Sequence, residues 1–325
     1  MRILQFIPFG PVPLMHRLLA QAARTNQSLP ILDLEDTHWD IKSSDNTAKR
    51  KDKARNRFTE LAESTQDAGN TKTKIAIRAN NPSTRDFPKD LVTIKELASR
   101  FELHALFLPK TSSASELQAT KEALKGIGQT EIKIIAIIES QTGLENIKEI
   151  SDAAAAMGSE SICYGHYDFH LDIGSWPLPT VYEPKFWEPA QIVIEQAMEA
   201  GLIYIQPPFS ELHDTKALGD IISHLEYHCE NRFHVMSAGP SQTSILARLT
   251  STASARRSPP TPIKTSQPRE LSTNDKDKLA NEIQLAFVQS KRSQHSFTTD
   301  ASSNRFIPPH EYAAALRYIE QREHA

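Results

Sequence analysis

The chain of 325 residues carries 37 basic and 40 acidic side chains, which gives a formal net charge of −3. This balance excludes the strong positive field that recruits nucleic acids or anionic membranes, and no apolar run approaches the roughly 18 residues of a membrane-spanning helix. Two cysteines, Cys163 and Cys229, are too few for a disulfide framework or a cysteine zinc site. The composition therefore favours a cytoplasmic protein whose partners are small molecules or other copies of itself.

Eight short apolar segments alternate with longer amphipathic segments, beginning in chain order at Arg2, Pro30, Lys74, Leu103, Lys133, Glu160, Gly201 and Arg232. Their hydrophobicity is continuous, which is typical of parallel strands covered on both faces. A doubly wound open sheet shares this pattern, but eight βα repeats in about 250 residues match a closed barrel. The chain also lacks the glycine-rich turn of a dinucleotide-binding sheet. The sequence therefore predicts an α/β fold, a (β/α)8 TIM barrel.

The composition changes after Leu249, where Ser, Thr, Pro and basic residues become frequent. We predict a catalytic barrel domain over residues 1–250, a Ser/Pro-rich basic linker over 251–272 and a C-terminal helical segment over 273–325. Apolar residues such as Leu279, Ile283 and Leu316 recur at helical spacing in this last segment. Its helices form a cap or a subunit contact, or they pack on the outer ring of the barrel, and the pattern alone does not decide.

The apolar segments end in polar residues, and in a barrel the carboxyl ends of the strands form the active site. In chain order these residues are Asp33, Glu35, Asp36, Arg78, Asn80, Lys110, Glu139 and Asp168. Any one of them could cap a helix or form an ion pair, but their joint occurrence on successive strands favours a site. Several carboxylates in one partly desolvated mouth repel each other unless a cation compensates them. Because all the ligands are oxygens, Mg²⁺ is favoured over Zn²⁺.

Two further features of the strand ends bear on the chemistry. His166 and His170 flank Asp168 in the sequence HYDFH, and their i, i+4 spacing would allow a zinc site on a helix. We expect a strand end at this place, so zinc is the less favoured alternative. Arg78 is always charged and its planar fork suits a substrate carboxylate or an enolate oxygen.

The chain resembles the family that contains the citrate lyase beta subunit, malyl-CoA lyase and the HpcH/HpaI aldolases. The segments that carry the resemblance are ILDLEDT from Ile31, DKARNRFTEL from Asp52, IAIRANN from Ile75, LFLPKTSSASEL from Leu106, IIAIIESQTGLENIKEI from Ile134 and CYGHYDFHLDIG from Cys163. Two weaker matches, SAGPSQTSIL near Ser237 and NRFIPPHEYAAALRYIE near the C-terminus, extend it over nearly the full chain.

The resemblance implies roles for four residues. Glu139 and Asp168 correspond to the carboxylates that hold Mg²⁺, Arg78 to the arginine that binds the substrate and its developing oxyanion, and Asp36 to an acid beside the metal. The implied reaction is a reversible aldol or Claisen-type carbon–carbon cleavage that releases a 2-oxo acid or an acetyl-type fragment. The substrate is a short hydroxy acid or its CoA thioester, and the protein is expected to be a homo-oligomer, a trimer or hexamer.

Two departures from the family pattern concern the CoA thioester more than the metal. Where the family's cap carries an Asp that reaches a neighbouring subunit, this chain has IPPHEY with Pro308. His310 and Glu311 either replace that acid or are ordinary first-turn residues of a helix. Gly239 stands in GPSQ where the family has histidine. The alternative function is a non-catalytic or assembly-dependent citrate lyase beta-like subunit that needs a carrier-bound acyl substrate.

Overall fold

The barrel predicted from the sequence is present and closed. The computed structural model describes residues 1–24, 28–35, 40, 43–65, 72–209, 214–253, 262–265, 271–290, 298–300, 305–307 and 309–324. Eight parallel strands form one closed sheet, because the first strand pairs with both the second and the eighth. Each strand overlaps one of the eight predicted segments, and β2 and β4 begin one or two residues earlier than predicted, so the prediction of a (β/α)8 barrel is confirmed.

The strands are short and follow the chain order around the barrel. They are β1 (Ile3–Phe6), β2 (Ser28–Asp33), β3 (Lys74–Arg78), β4 (Glu102–Leu108), β5 (Lys133–Ile138), β6 (Ser161–Tyr164), β7 (Ile203–Gln206) and β8 (Phe233–Ser237). The helices that surround them are α1 (Val12–Arg24), α2 (Ser44–Ser64), α3 (Phe87–Arg100), α4 (Ala114–Gly126), α5 (Gln141–Glu145), α6 (Ile147–Ala156), α7 (His166–Asp172), α8 (Pro184–Glu199), α9 (Thr215–Cys229) and α10 (Pro240–Ala253).

Strand β5 shows why its sequence is continuously apolar. Ile134, Ala136 and Ile138 belong to the large apolar cluster between the strands and the helices. Ile135 and Ile137 belong to a second cluster, which fills the barrel interior. Successive side chains of a strand point to opposite faces, and here both faces are buried, so both must be apolar.

The C-terminal segment forms a small unit of its own. It consists of α11 (Thr273–Ser290), an antiparallel pair of strands, β9 (Thr298–Asp300) and β10 (Arg305–Ile307), and α12 (Pro309–Glu323). The apolar residues predicted at helical spacing, including Leu279, Ile283 and Leu316, pack together in one cluster. Helix α12 packs against α7 at the carboxyl end of the barrel. The division of the chain into three parts remains a prediction; the boundary at residue 250 falls within α10.

The end of the sixth predicted segment is where the structure differs from the sequence prediction. We expected a strand up to Asp168, but β6 ends at Tyr164 and α7 begins at His166. The amide of Phe169 donates to the carbonyl of Gly165 over 3.1 Å, which is a helical bond. The expectation that Asp168 terminates a strand was therefore wrong, and both histidines of HYDFH share the helix with it.

Two expectations drawn from composition can be compared with the structure. Cys163 and Cys229 are both buried and free. Among the described residues, no helix combines the length and the apolar character needed to cross a membrane. A cytoplasmic location remains a prediction.

Candidate active site at the carboxyl end of the barrel

Strand alternation places three charged side chains above the barrel interior. Each follows by two residues a side chain of the interior cluster, so that it lies on the same strand face one step higher. The pairs are Ile31 and Asp33, Ala76 and Arg78, and Ile137 and Glu139. Asp33 and Arg78 are the last residues of β2 and β3, and Glu139 directly follows β5.

Arg78 and Asp33 form a bidentate ion pair. The two residues face each other in the register of β2 and β3. Arg78 donates from Nε to Asp33 Oδ1 over 2.7 Å and from Nη2 to Asp33 Oδ2 over 2.8 Å. A third nitrogen, Nη1, lies 3.5 Å from Glu35 Oε2. The two bonds to Asp33 fix the orientation of the planar guanidinium group. The sequence predicts Asp33 at the strand end but does not identify this partner.

Lys110 joins three of the acidic residues. Its main-chain N–H donates to Glu139 Oε1 over 2.8 Å, and its ammonium donates to Glu35 Oε1 over 2.6 Å. The ammonium also lies 3.4 Å from Asp168 Oδ1. The backbone adopts a left-handed conformation with φ of 52°, which is unfavourable for a residue with a Cβ. This conformation turns the main chain after β4 so that both its N–H and its side chain face the mouth.

The carboxylate of Glu139 lies directly against the backbone of Gly165. A Cβ added at residue 165 would contact Glu139 Oε2 and would lie 2.8 Å from Glu139 Cβ, well inside van der Waals distance. Glu139 is 4% exposed. Only glycine at position 165 therefore allows the buried carboxylate to take this place.

The C-terminal helix of the same chain contributes a histidine. His310, in the first turn of α12, places Nε2 2.9 Å from Asp168 Oδ2. Its ring stacks on Tyr167 at an interplanar angle of 11°. Arg317 of the same helix donates from Nη1 to the carbonyl of Leu171 over 2.6 Å. His310 is thus a first-turn residue of α12 that also lies beside Asp168, and its replacement of the family's acid remains a prediction.

Among the described residues, no further metal ligands converge on His166 and His170. Burial lowers the pKa of His166 well below its usual value and lowers that of His170 to about 4. His166 packs on Phe186, and His170 Nδ1 lies 3.2 Å from Ser175 Oγ. In the part of the chain that the structure describes, no three His, Cys, Asp or Glu residues converge as a metal cluster.

Asn80, predicted at the end of β3, bonds to residues next to the site through its side-chain amide. Its side-chain amide donates to the carbonyl of Leu34 over 3.0 Å and to Asp90 Oδ2 over 2.7 Å. Asp90 is fully buried and also pairs with Arg55 Nε over 2.8 Å. The network ties α2 and α3 to the end of β3. Lys51 donates to the amide oxygen of Asn80.

Two adjoining cavities open at this end of the barrel. The first has a volume of about 290 Å³, and the Asp, Glu, Arg and His residues that line it are Asp33, Arg78, Glu139, His166, Asp168 and His310. The second, of about 550 Å³, is lined by Glu35, Thr47, Lys51, Lys110, Glu139, Ser140, Asp168, Leu171, Asp172 and Arg317. Glu139 and Asp168 line both cavities. Asp36 and Pro308 lie outside the described residues.

The residues present fit a Mg²⁺ ion. Glu139 is buried and Asp168 has a side chain only 12% exposed, so their negative charges are partly desolvated in one cavity. One or two carboxylates with the remaining positions left for water and substrate oxygens is the arrangement that Mg²⁺ prefers. Glu139 and Asp168 would be the residues that hold it.

Comparison with known proteins gives the family. The profile of the HpcH/HpaI aldolase/citrate lyase family matches residues 14–208. Among functionally curated proteins, none matches this chain.

Solved structures resemble the chain at low identity. RipC from Yersinia pestis has a TM-score of 0.53 and 24% identity, covering 79% of this chain and 98% of that chain. The citrate lyase beta subunit from M. tuberculosis, complexed with oxaloacetate and magnesium, has a TM-score of 0.53 and 19% identity, covering 76% and 95%. The protein CitE from Mycobacterium tuberculosis with magnesium, acetoacetate and coenzyme A has a TM-score of 0.55 and 17% identity, covering 98% and 97%.

At these identities the structural likeness shows the barrel fold alone. The profile match is the stronger finding, since it spans more than half of the chain, including the segments that contain Arg78, Lys110, Glu139 and Asp168. The chain therefore belongs to the HpcH/HpaI aldolase/citrate lyase family.

Proposed function

We propose that this chain is a Mg²⁺-dependent carbon–carbon lyase or aldolase that acts on a short hydroxy acid or its CoA thioester and releases a 2-oxo acid or an acetyl-type fragment. The observation that carries the proposal is the convergence of Glu139, Asp168 and Arg78 on one cavity of about 290 Å³. That volume suits a small ligand. The relatives complexed with magnesium and oxaloacetate, or with acetoacetate and coenzyme A, support this class of substrate.

Each residue has a distinct part in the proposed reaction. Glu139 and Asp168 would hold Mg²⁺. When bound, this ion would act as a Lewis acid that polarises the oxo group of a 2-oxo acid. Arg78, fixed by Asp33, presents positive charge to the cavity and stabilises the enolate oxygen that develops as the carbon–carbon bond breaks. Asp36 remains a proposed acid beside the metal.

The wider cavity is a candidate entrance for the rest of the substrate. Lys51 and Arg317 line it beside the carboxylates, and it adjoins the smaller cavity at Glu139 and Asp168. A thioester arm entering here would leave its acyl end in the smaller cavity. Whether CoA is used is therefore tested by adding hydroxyacyl-CoA and the free hydroxy acid separately.

The test is Mg²⁺ calorimetry combined with an assay for release of pyruvate, glyoxylate or oxaloacetate. We expect the wild-type protein to bind Mg²⁺ and to turn over, and Glu139→Gln and Asp168→Asn to lose both while their melting temperatures stay within a few degrees. Glu145→Gln, which changes an exposed acid hydrogen-bonded to Gln141, is the matched control. Absence of Mg²⁺ binding by the wild type, or full turnover by Glu139→Gln, would show the proposal to be wrong.

A further inference from the structure

Lys110 contacts more acidic groups of the site than any role as a helix cap or surface ion pair requires. Its ammonium lies 2.6 Å from Glu35 Oε1 and 3.4 Å from Asp168 Oδ1, and its N–H holds Glu139. These bonds are made from a left-handed backbone conformation that lysine rarely adopts. The strained conformation is thus combined with a specific electrostatic arrangement.

The two basic residues of the site balance only half of its carboxylate charge. Asp33, Glu35, Glu139 and Asp168 are joined through Arg78 and Lys110, which leaves an excess of two formal negative charges in this set. A divalent cation would neutralise that excess. Without the ammonium of Lys110 the excess would be three, and the same cation would leave one negative charge.

We propose that Lys110 is a positioning residue that sets the charge of the metal site, so that it weakens binding of the divalent cation and strengthens binding of the anionic substrate to the metal-loaded protein. This inference rests on the proposed metal site at Glu139 and Asp168. Lys110 would then set the relative affinities of the site for the cation and for the anion. The carboxylates of Glu139 and Asp168 alone would not set this ratio.

The two effects have opposite signs for a simple electrostatic reason. The ammonium repels a cation that binds Asp168 and attracts the carboxylate of a 2-oxo acid bound in the same mouth. Structural damage to the site would instead weaken the binding of both the cation and the 2-oxo acid. Because the side chain of Lys110 is 44% exposed, water and salt screen its field, and each effect is expected to be moderate.

The experiment compares the wild type with Lys110→Met, which keeps an unbranched side chain only one atom shorter, together with the backbone N–H, but removes the charge. Isothermal titration with MgCl₂ gives the cation affinity, and titration of pyruvate into protein saturated with Mg²⁺ gives the anion affinity. At low ionic strength we expect Lys110→Met to bind Mg²⁺ about tenfold more tightly and pyruvate about tenfold more weakly.

Three comparisons isolate the charge. Lys110→Arg keeps the charge and should stay within about threefold of the wild type for both ligands. Lys51→Met removes a positive charge from the same cavity. Among the described residues, Lys51 bonds to the amide of Asn80 and not to a carboxylate, so its effects should be smaller than those of Lys110→Met. At high ionic strength the differences should shrink. If Lys110→Met does not fold, Lys110→Gln replaces it.

Each outcome has a definite meaning. Opposite changes in the two affinities support the inference. Parallel weakening of both ligands, or no change in either, overturns it and leaves the proposed function standing, since the wild type still binds the metal. Failure of the wild type to bind Mg²⁺ at all overturns the proposed function and this inference together, and failure of the loaded wild type to bind pyruvate overturns its anion-binding part. Acids outside the set, such as Asp36, are present in both proteins and cancel in the comparison.

Discussion

Gly165 makes room for the Glu139 carboxylate, because a Cβ on residue 165 would overlap with this carboxylate. We predict that Gly165→Ala displaces Glu139 from the mouth, so that Mg²⁺ binding is lost in calorimetry. Overpacking of a buried site costs about 1–3 kcal/mol, so the free energy of unfolding in urea should fall by about that amount.

The matched control for this substitution is Gly126→Ala at the end of α4. A Cβ at residue 126 meets no atom within 4 Å, so the substitution adds a methyl group without a clash. We expect unchanged Mg²⁺ affinity and unchanged or slightly increased stability. Normal Mg²⁺ binding by Gly165→Ala would contradict the placement of Glu139 as a metal ligand.

At the level of residues, the sequence identifies the acids and Arg78 as candidates but leaves most of their contacts undetermined. The bond between Asp33 and Arg78 could have been inferred from strand alternation, since both lie two residues beyond an interior side chain. The contacts of Lys110 could not, because they depend on a left-handed backbone conformation that its sequence context does not signal. His310 reaches Asp168 across 142 positions of the chain, and no local pattern encodes such a contact.

At the level of elements, the strands were predictable because burial on both faces leaves a strong sequence signal, as in β5. Helix α7 was not predictable, since only Gly165 separates its seven residues from a buried strand and they include aromatic residues that strands also favour. Its i, i+4 histidines were the available sign of a helix. The apolar run before them favours a continued strand and outweighs this spacing in the sequence.

Helix α9 carries a histidine whose protonation should weaken the fold. His224 Nδ1 accepts a hydrogen bond from the N–H of Ile263 over 3.1 Å, so it must be unprotonated. Burial, and then the nearby His228, lower the pKa of His224 to about 4 from the usual 6.5. Between pH 6.5 and about 4, His224 is protonated in the unfolded chain but stays neutral in the folded chain. The resulting stability is present above about pH 6.5 and is lost as the pH falls towards 4.

We predict that His224→Gln, which keeps an acceptor for Ile263, reduces this acid sensitivity. Between pH 7.5 and 5.0 the wild-type free energy of unfolding in urea should fall by about 2 kcal/mol more than that of the variant. The buried His166 and His170 contribute to the fall in both proteins, so some acid sensitivity will persist. His16→Gln, at a partly exposed histidine of α1 that bonds to Ser64 Oγ, is the control. Equal falls in the wild type and His224→Gln would contradict the role of His224.

At the level of the whole molecule, the described C-terminal helices cap the barrel of their own chain. The apolar cluster of α11 and α12 is separate from the two clusters of the barrel. Where the family resemblance implied a cap that reaches a neighbouring subunit, His310 lies beside Asp168 of the same chain. A trimer or hexamer remains a prediction, to be measured by light scattering.

Among the described helices and strands, the cap contacts the barrel chiefly through α12 on α7, so the cap should leave the barrel before the barrel unfolds. Trp176 stacks on Tyr318 at 5.8 Å and reports on this interface when Trp39 and Trp187 are replaced by Phe. We predict that its fluorescence changes at a lower urea concentration than the far-ultraviolet circular dichroism.

Arg317→Ala removes the bond to the Leu171 carbonyl and should destabilise docking alone by about 1–2 kcal/mol. Arg322→Ala, which instead removes a contact to Asp277 within the cap, should leave the docking transition nearly unchanged. Coincident transitions in all three proteins would mean that cap and barrel unfold as one unit.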